Sequence, residues 1–180
     1  MVLLESNNEL QPGDKAPDFS LPGIDDKTHS LFDFAGKPAL IIFMCNHCPY
    51  VIDKFETING LAKRFPDIAV IGINPNDAHM FPEDSFENMK RIADEEGFVF
   101  TYLFDENQEV AEAYGAVCTP DPFLFDKDGK LFFHGRLNDS MSPGDTVSEE
   151  TMADAIGALL VGKEIAAESK PSRGCSIKWR

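Results

Sequence analysis

Ala39-Leu40-Ile41-Ile42-Phe43-Met44 runs directly into Cys45-Asn46-His47-Cys48-Pro49, and the reading of this junction decides the fold. An unbroken apolar, β-branched run behind the turn signal Gly36-Lys37-Pro38 predicts a strand covered on both faces, because a half-exposed strand alternates. From Asn46 to Phe65 the apolar positions Tyr50, Val51, Phe55, Ile58, Leu61, Ala62 and Phe65 recur at helical spacing. Asn46 or Cys48 caps that helix, and Pro49 is tolerated in its first turn. Strand, tight loop and helix therefore place both cysteines where a buried strand hands over to a helix.

Working outward, residues 11 to 38 are rich in Pro, Gly and Asp and read as a lead-in of short extended pieces. Ile68 to Ile73 repeats the buried-strand pattern. Ser85 to Glu96 is a polar amphipathic helix stopped by Gly97, with Pro82, Glu83 and Asp84 near its start, where carboxylates suit the helix dipole. Phe98 to Phe104 is a further apolar stretch and Gln108 to Tyr114 a short helix. Phe123 to Phe125 and Lys130 to His134 form a hairpin about Asp126-Lys127-Asp128-Gly129, since Asp-Gly accepts positive φ. A calcium loop at that turn fails, because Leu124 and Gly135 stand where acids are needed. Ser148 to Val161 is the last helix, ahead of a tail. Alternating strands and helices followed by a hairpin make an α/β layer sandwich, a mixed central β-sheet flanked by helices, with an N-terminal extension and a C-terminal tail.

At 180 residues, against about 150 per domain, the chain is one domain, with a core over about 12–165 and a docked tail over 166–180. Its 43% hydrophobic and 26% charged residues fit a soluble folded protein. Sixteen Lys and Arg against thirty-one Asp and Glu leave a net charge of −15, a field that repels phosphate backbones and anionic lipid. No nucleic-acid or membrane partner is expected. The N-terminus has no basic region ahead of an apolar one, which points to the cytoplasm. There, four cysteines argue for redox or metal chemistry over a structural disulfide framework.

The two-residue gap between Cys45 and Cys48 lets the sulfurs close a small disulfide. Free N–H groups at the helix start favour thiolate, so Cys45 is expected to titrate below the free-thiol value of about 8.5. A thiolate attacks a partner's disulfide, and the second cysteine, one turn further into the helix, resolves the mixed disulfide. His47 adds a dipole or charge beside the thiolate. A zinc-held interaction module is the alternative, and it needs two more ligands. Cys118, Cys175, His29, His47, His79 and His134 are scattered and form no second close pair. The isolated histidines read as surface or hydrogen-bonded residues.

Three stretches carry a resemblance: Pro12-Gly13-Asp14-Lys15-Ala16-Pro17-Asp18-Phe19-Ser20-Leu21, Leu31-Phe32-Asp33-Phe34-Ala35-Gly36-Lys37-Pro38 and the Cys45 to Tyr50 motif. Together they resemble the redoxin and alkyl hydroperoxide reductase/thiol-specific antioxidant group of the thioredoxin superfamily. Val117-Cys118-Thr119-Pro120-Asp121 and Gly174-Cys175-Ser176-Ile177-Lys178-Trp179 narrow it to peroxiredoxin-like members with a thioredoxin-type cysteine pair. The resemblance implies a thioredoxin-like fold, with Thr119-Pro120 as a cis-proline site where an extended substrate chain pairs beside the disulfide. It implies a thiol-disulfide oxidoreductase acting through a Cys45–Cys48 disulfide on protein or small-molecule disulfides, with a thiol electron donor and no cofactor or metal. The alternative is a thiol peroxidase using Cys48 on a peroxide, with Cys45 at the usual hydroxyl position and Arg136 as the candidate group for the leaving oxygen. Cys118, two residues before the proline, and Cys175 are candidate auxiliary redox thiols. Ile177 and Trp179 alternate with polar residues, so an extended tail lays both on one surface and brings Cys175 back over the domain.

Overall fold

The computed structural model describes residues 2–164 and 169–180. Its strands are β1 (Leu3–Glu5), β2 (Ser20–Pro22), β3 (Thr28–Ser30), β4 (Ala39–Phe43), β5 (Ala69–Asn74), β6 (Thr101–Phe104), β7 (Cys118–Thr119), β8 (Asp121–Phe125), β9 (Leu131–His134) and β10 (Arg173–Ser176). Its helices are α1 (Pro49–Ile52), α2 (Phe55–Arg64), α3 (Phe86–Glu95), α4 (Glu109–Tyr114) and α5 (Thr151–Leu160).

The central sheet has the order β6-β5-β4-β8-β9. β4, β5 and β6 are parallel, and β8 and β9 return antiparallel, which makes the sheet mixed and the fold thioredoxin-like. Every side chain of β4 is buried, as its unbroken apolar run predicts. Leu40, Ile42 and Met44 pack with Val51, Phe55 and Ile58 on one face, while Ile41 and Phe43 pack with Tyr114 and Phe123 on the other. Met44 also closes over Gly72 of β5, where an added Cβ would meet its Sδ at 2.6 Å, so a larger residue there forces the cluster open.

A second, three-stranded sheet of order β1-β10-β7 sits beside the first. The chain crosses between the two sheets at the cis peptide Thr119–Pro120. Among the described residues, no helix is long and apolar enough to cross a membrane. The expected boundary between core and tail, at 165/166, falls outside the described residues.

Three elements depart from expectation for reasons of tertiary contact. The helix read over 46–65 is broken into α1 and α2 at Asp53 and Lys54. Asp53 Oδ1 accepts the Gly144 N–H at 2.8 Å and Lys54 Nζ donates to Ser140 Oγ at 2.7 Å, so the 140–144 loop holds both residues. The last helix starts at Thr151 rather than Ser148, because the Ser148 and Glu149 N–H groups go to Asp139 Oδ1 at 2.8 and 3.0 Å. The strand expected from Phe98 starts at Thr101, as Phe98 ends the helical segment with an N–H to Ala93 O at 2.8 Å.

Candidate active site

Met44 N–H still pairs with Ile73 O at 2.8 Å, so Cys45 leaves the end of a fixed strand. Cys48 is the N-cap of α1, with Pro49 at the first helical position. Both sulfurs meet Thr119. Cys45 Sγ lies 3.3 Å from Thr119 Oγ1, and Cys48 Sγ lies 3.6 Å from the Thr119 carbonyl oxygen. Both cysteines are fully buried.

The disulfide in this structure joins Cys48 to Cys175, with their Cα atoms 6.3 Å apart, and Cys45 is a thiol. The cause is strand register. β10 pairs antiparallel with β7, Cys175 falls opposite Thr119, and the Thr119 carbonyl is the group that Cys48 touches. Cys175 thus joins the site, while the bond expected between Cys45 and Cys48 is not the one present.

Cys118 is buried in β7, and burial, reinforced by the Asp121 charge, pushes its thiol up. Successive strand residues point to opposite faces, so with Thr119 aimed at Cys45, Cys118 points away from the pair. Proximity in sequence to Pro120 does not bring it to the sulfurs. Ile177 is buried as expected, but Trp179 is 41% exposed. The tail backbone is fixed by Asp77 N–H to Lys178 O at 2.9 Å, which seats Ile177 and leaves Trp179 at the rim.

The expected low Cys45 titration is corrected by its surroundings. Burial pushes the Cys45 thiol up to about 12, and the negative charge of Asp84 adds to this. The Thr119 hydroxyl and the N–H groups of Cys48 and His47 pull the other way and are outweighed. α1 has only four residues, so the helix end that was to favour thiolate is a single turn.

Sequence reading also missed the role of Asp84, which it placed near a helix start as a carboxylate suited to the dipole. Asp84 is fully buried. One of its oxygens accepts the Asn46 N–H at 2.7 Å, and the other faces His47 Nδ1 and Asn76 Nδ2, each at 2.7 Å. Tyr102 O–H donates to Asn46 Oδ1 at 2.9 Å from the far side. His47 is half-buried and stacks on Phe81 at 5.6 Å. The Asp84 hydrogen bond raises the His47 titration, with burial opposing. The local signal was polar Asn74 at the end of an otherwise apolar strand, with Asn76 just beyond it.

Asp84→Asn is therefore expected to lower the His47 midpoint, followed by imidazole NMR against pH. In the intact protein the pair's contribution to stability is complete below the ordinary histidine value of about 6.5 and is lost as pH rises through the raised folded value. An unchanged midpoint in the variant would remove Asp84 as its cause.

Among the described residues, Cys45, His47 and Asp84 are the group that could hold a metal ion, their ligand atoms lying within 4.8 Å of one another. Both Asp84 oxygens, however, already serve hydrogen bonds, and Cys48 is committed to its disulfide. The arrangement reads as a histidine held by a carboxylate beside a thiol. The other histidines lie in separate contacts: His29 faces Asp25 at 3.0 Å, the His79 backbone N–H reaches Asp77, and His134 pairs with buried Asp121 at 2.7 Å. Arg136, the candidate for a peroxide oxygen, faces Glu149 at 3.1 Å and Met141 Sδ at 3.9 Å.

Residues 12–134 match the model of the AhpC/TSA family. Peroxiredoxin Bcp of Escherichia coli is 30% identical over 69% of this chain and 84% of its own length. Thiol-disulfide oxidoreductase ResA of Geobacillus thermodenitrificans is 26% identical over 66% of each chain. A crystal structure of a conserved protein from Geobacillus kaustophilus superposes with a TM-score of 0.94 at 43% identity, covering 100% of this chain and 97% of that one. The sulfur site at the strand-to-helix junction, the cis peptide facing it and this match over most of the chain agree, and the protein belongs to the AhpC/TSA family.

Proposed function

We propose that this protein is a thiol-disulfide oxidoreductase in which Cys48 carries the mixed disulfide and Cys45 resolves it, so that the cycle ends in a Cys45–Cys48 disulfide. The observation that carries this reading is the Cys48–Cys175 bond itself. It joins an active-site sulfur to a cysteine on an extended segment paired against Thr119, which is the form of a mixed disulfide between enzyme and substrate chain. A thiolate at Cys48 attacks one sulfur of the substrate disulfide, and the other leaves as a thiolate that takes up a proton. Cys45, deprotonated, then attacks Cys48 Sγ and expels the substrate cysteine, which receives the proton Cys45 gave up. A dithiol donor reduces the resulting pair and completes the turnover.

This order reverses the one read from the sequence, where Cys45 was to attack. Its support is that Cys45 is a buried thiol pushed up to about 12, a poor first nucleophile, whereas Cys48 is the sulfur already bonded to a strand. His47, held by Asp84, is the proposed tuner of the pair, and Thr119-Pro120 the platform for the substrate backbone. ResA carries a name of the same reaction class. The proposed setting is the cytoplasm, which cell fractionation tests.

A second reading, a thiol peroxidase of antioxidant role, has the same bond in its favour. There Cys48 thiolate takes one peroxide oxygen as sulfenic acid while the O–O bond breaks and the other oxygen leaves as water or an alcohol, and Cys175 then condenses with the sulfenic acid, releasing a further water and forming the observed disulfide. Bcp is named for that chemistry. Turnover of a small disulfide with a dithiol donor supports the first reading, and rapid dithiol-dependent consumption of hydrogen peroxide without disulfide turnover replaces it with the second.

A further inference from the structure

Gly174 has no room for a side chain. A Cβ built there would lie 1.9 Å from the Thr119 carbonyl oxygen and 3.0 Å from Pro120 N, both fixed backbone atoms. β10 reaches this position because it slides between two strands, with Cys175 opposite Leu3 of β1 and Thr119 of β7. Its ends are held as well. Ser172 Oγ donates to Pro120 O at 2.6 Å, and Ile177 N–H donates to Val117 O at 3.0 Å. The slot therefore selects an extended backbone, a glycine at one position and a cysteine at the next, aimed at Cys48.

Charge selects in the same place. Residues 170–180 contain Lys170, Arg173, Lys178 and Arg180 and no acid, in a chain of net charge −15. The rest of the molecule is thus more acidic than the whole, and acids meet the tail at two points: Glu5 of β1 is the register partner of Arg173, and Arg180 lies 3.5 Å from both Asp77 and Glu106.

We propose that the slot filled by β10 is the substrate-docking site, that its substrates are proteins with an extended, basic segment bearing a Gly-Cys pair, and that the tail is its intramolecular occupant. This rests on the oxidoreductase reading above and names the substrate class for it. In each turnover the substrate segment replaces β10, and its cysteine takes the place of Cys175 in the bond to Cys48. When no substrate is present, Cys175 as thiolate attacks Cys48 Sγ of the Cys45–Cys48 disulfide. The Cys48–Cys175 bond forms, the Cys45–Cys48 bond breaks, and Cys45 leaves as a thiolate that takes up a proton, so the exchange needs no oxidant.

The test uses reduced full-length Cys175→Ser protein and blocked peptides Arg-Gly-Cys-Ser-Ile, Arg-Val-Cys-Ser-Ile and Glu-Gly-Cys-Ser-Ile, each as a mixed disulfide with 2-thiopyridine. Hydroxyethyl disulfide serves as a small substrate without a backbone, and rates are normalised to those with dithiothreitol alone. The expected result is that kcat/KM for Arg-Gly-Cys exceeds that for Arg-Val-Cys by at least about tenfold, the scale of a pocket that rejects added carbon. Arg-Gly-Cys also exceeds Glu-Gly-Cys by a margin that shrinks with salt. Equal rates for all three peptides, with hydroxyethyl disulfide still reduced, would overturn the docking proposal and leave the oxidoreductase standing. Failure to reduce any of the four disulfides would overturn both.

Discussion

Cys48→Ser is expected to lower disulfide turnover by on the order of a thousandfold or more, while Cys45→Ser lowers it comparably and accumulates a disulfide on Cys48. Groups that act in sequence on one bond are not additive, so removing either one, or both, stops the same cycle. The two variants are distinguished by what they trap. With Cys48 gone, neither the bond to Cys175 nor the bond to a substrate forms, and mass analysis under non-reducing conditions is expected to find Cys175 unlinked to residue 48. With Cys45 gone, Cys48 still forms a disulfide, but the sulfur that completes the cycle is missing, so a bond on Cys48, to substrate or to Cys175, persists. Both positions are buried, and serine is close to cysteine in volume, so a denaturation midpoint measured in parallel separates lost chemistry from lost fold. Adducts on Cys45 in the Cys48→Ser protein, with none on Cys48 in the Cys45→Ser protein, would return the attacking role to Cys45.

The parts of the molecule that were legible in the sequence are those fixed by local pattern. The run Ala39 to Met44 announced a doubly covered strand, and β4 is buried along its whole length. Asp126 to Gly129 announced a turn, and Gly129 sits there at φ 71°. The cysteine pair and Thr119-Pro120 were each visible as short motifs, and the fold places both sulfurs against Thr119.

What the sequence hid depends on contacts between distant residues. The choice of Cys175 over Cys45 as the partner of Cys48 spans 127 residues and follows from the register of a four-residue strand, too short to show a period. β1, the other wall of the slot, has only three residues. Asp84 looked like a helix-start carboxylate because that is where acids are common, and nothing near it in sequence shows that His47 and Asn46, 37 and 38 residues earlier, converge on it. The thiolate argument for Cys45 failed on magnitude. One turn of helix offers a fraction of a charge, and full burial beside a carboxylate costs the anion more.

That balance has a large consequence for reactivity. With Cys45 pushed up to about 12 from a free-thiol value of about 8.5, its thiolate fraction at neutral pH is more than about a thousandfold below that of a free thiol. In the protein bearing the Cys48–Cys175 disulfide, alkylation of Cys45 by iodoacetamide is expected to be slower by at least that factor. Its rate is expected to climb about tenfold per pH unit, without a plateau below about pH 10. Restricted access also slows alkylation, but it lowers the rate equally at all pH values and leaves the midpoint where it was, so the shape of the profile separates the two causes. The linkage runs in the same direction. A folded value above the unfolded one means that the native state holds the proton more tightly, so the contribution of Cys45 to stability is complete below about pH 9 and is lost as pH rises toward 12. Asp84→Asn removes the second cause and is expected to bring the alkylation midpoint down, while burial, the larger cause, keeps it above 9.0. A plateau at or below the free-thiol value in the disulfide-bonded protein would restore Cys45 as a ready nucleophile and undo the order of attack argued from its burial.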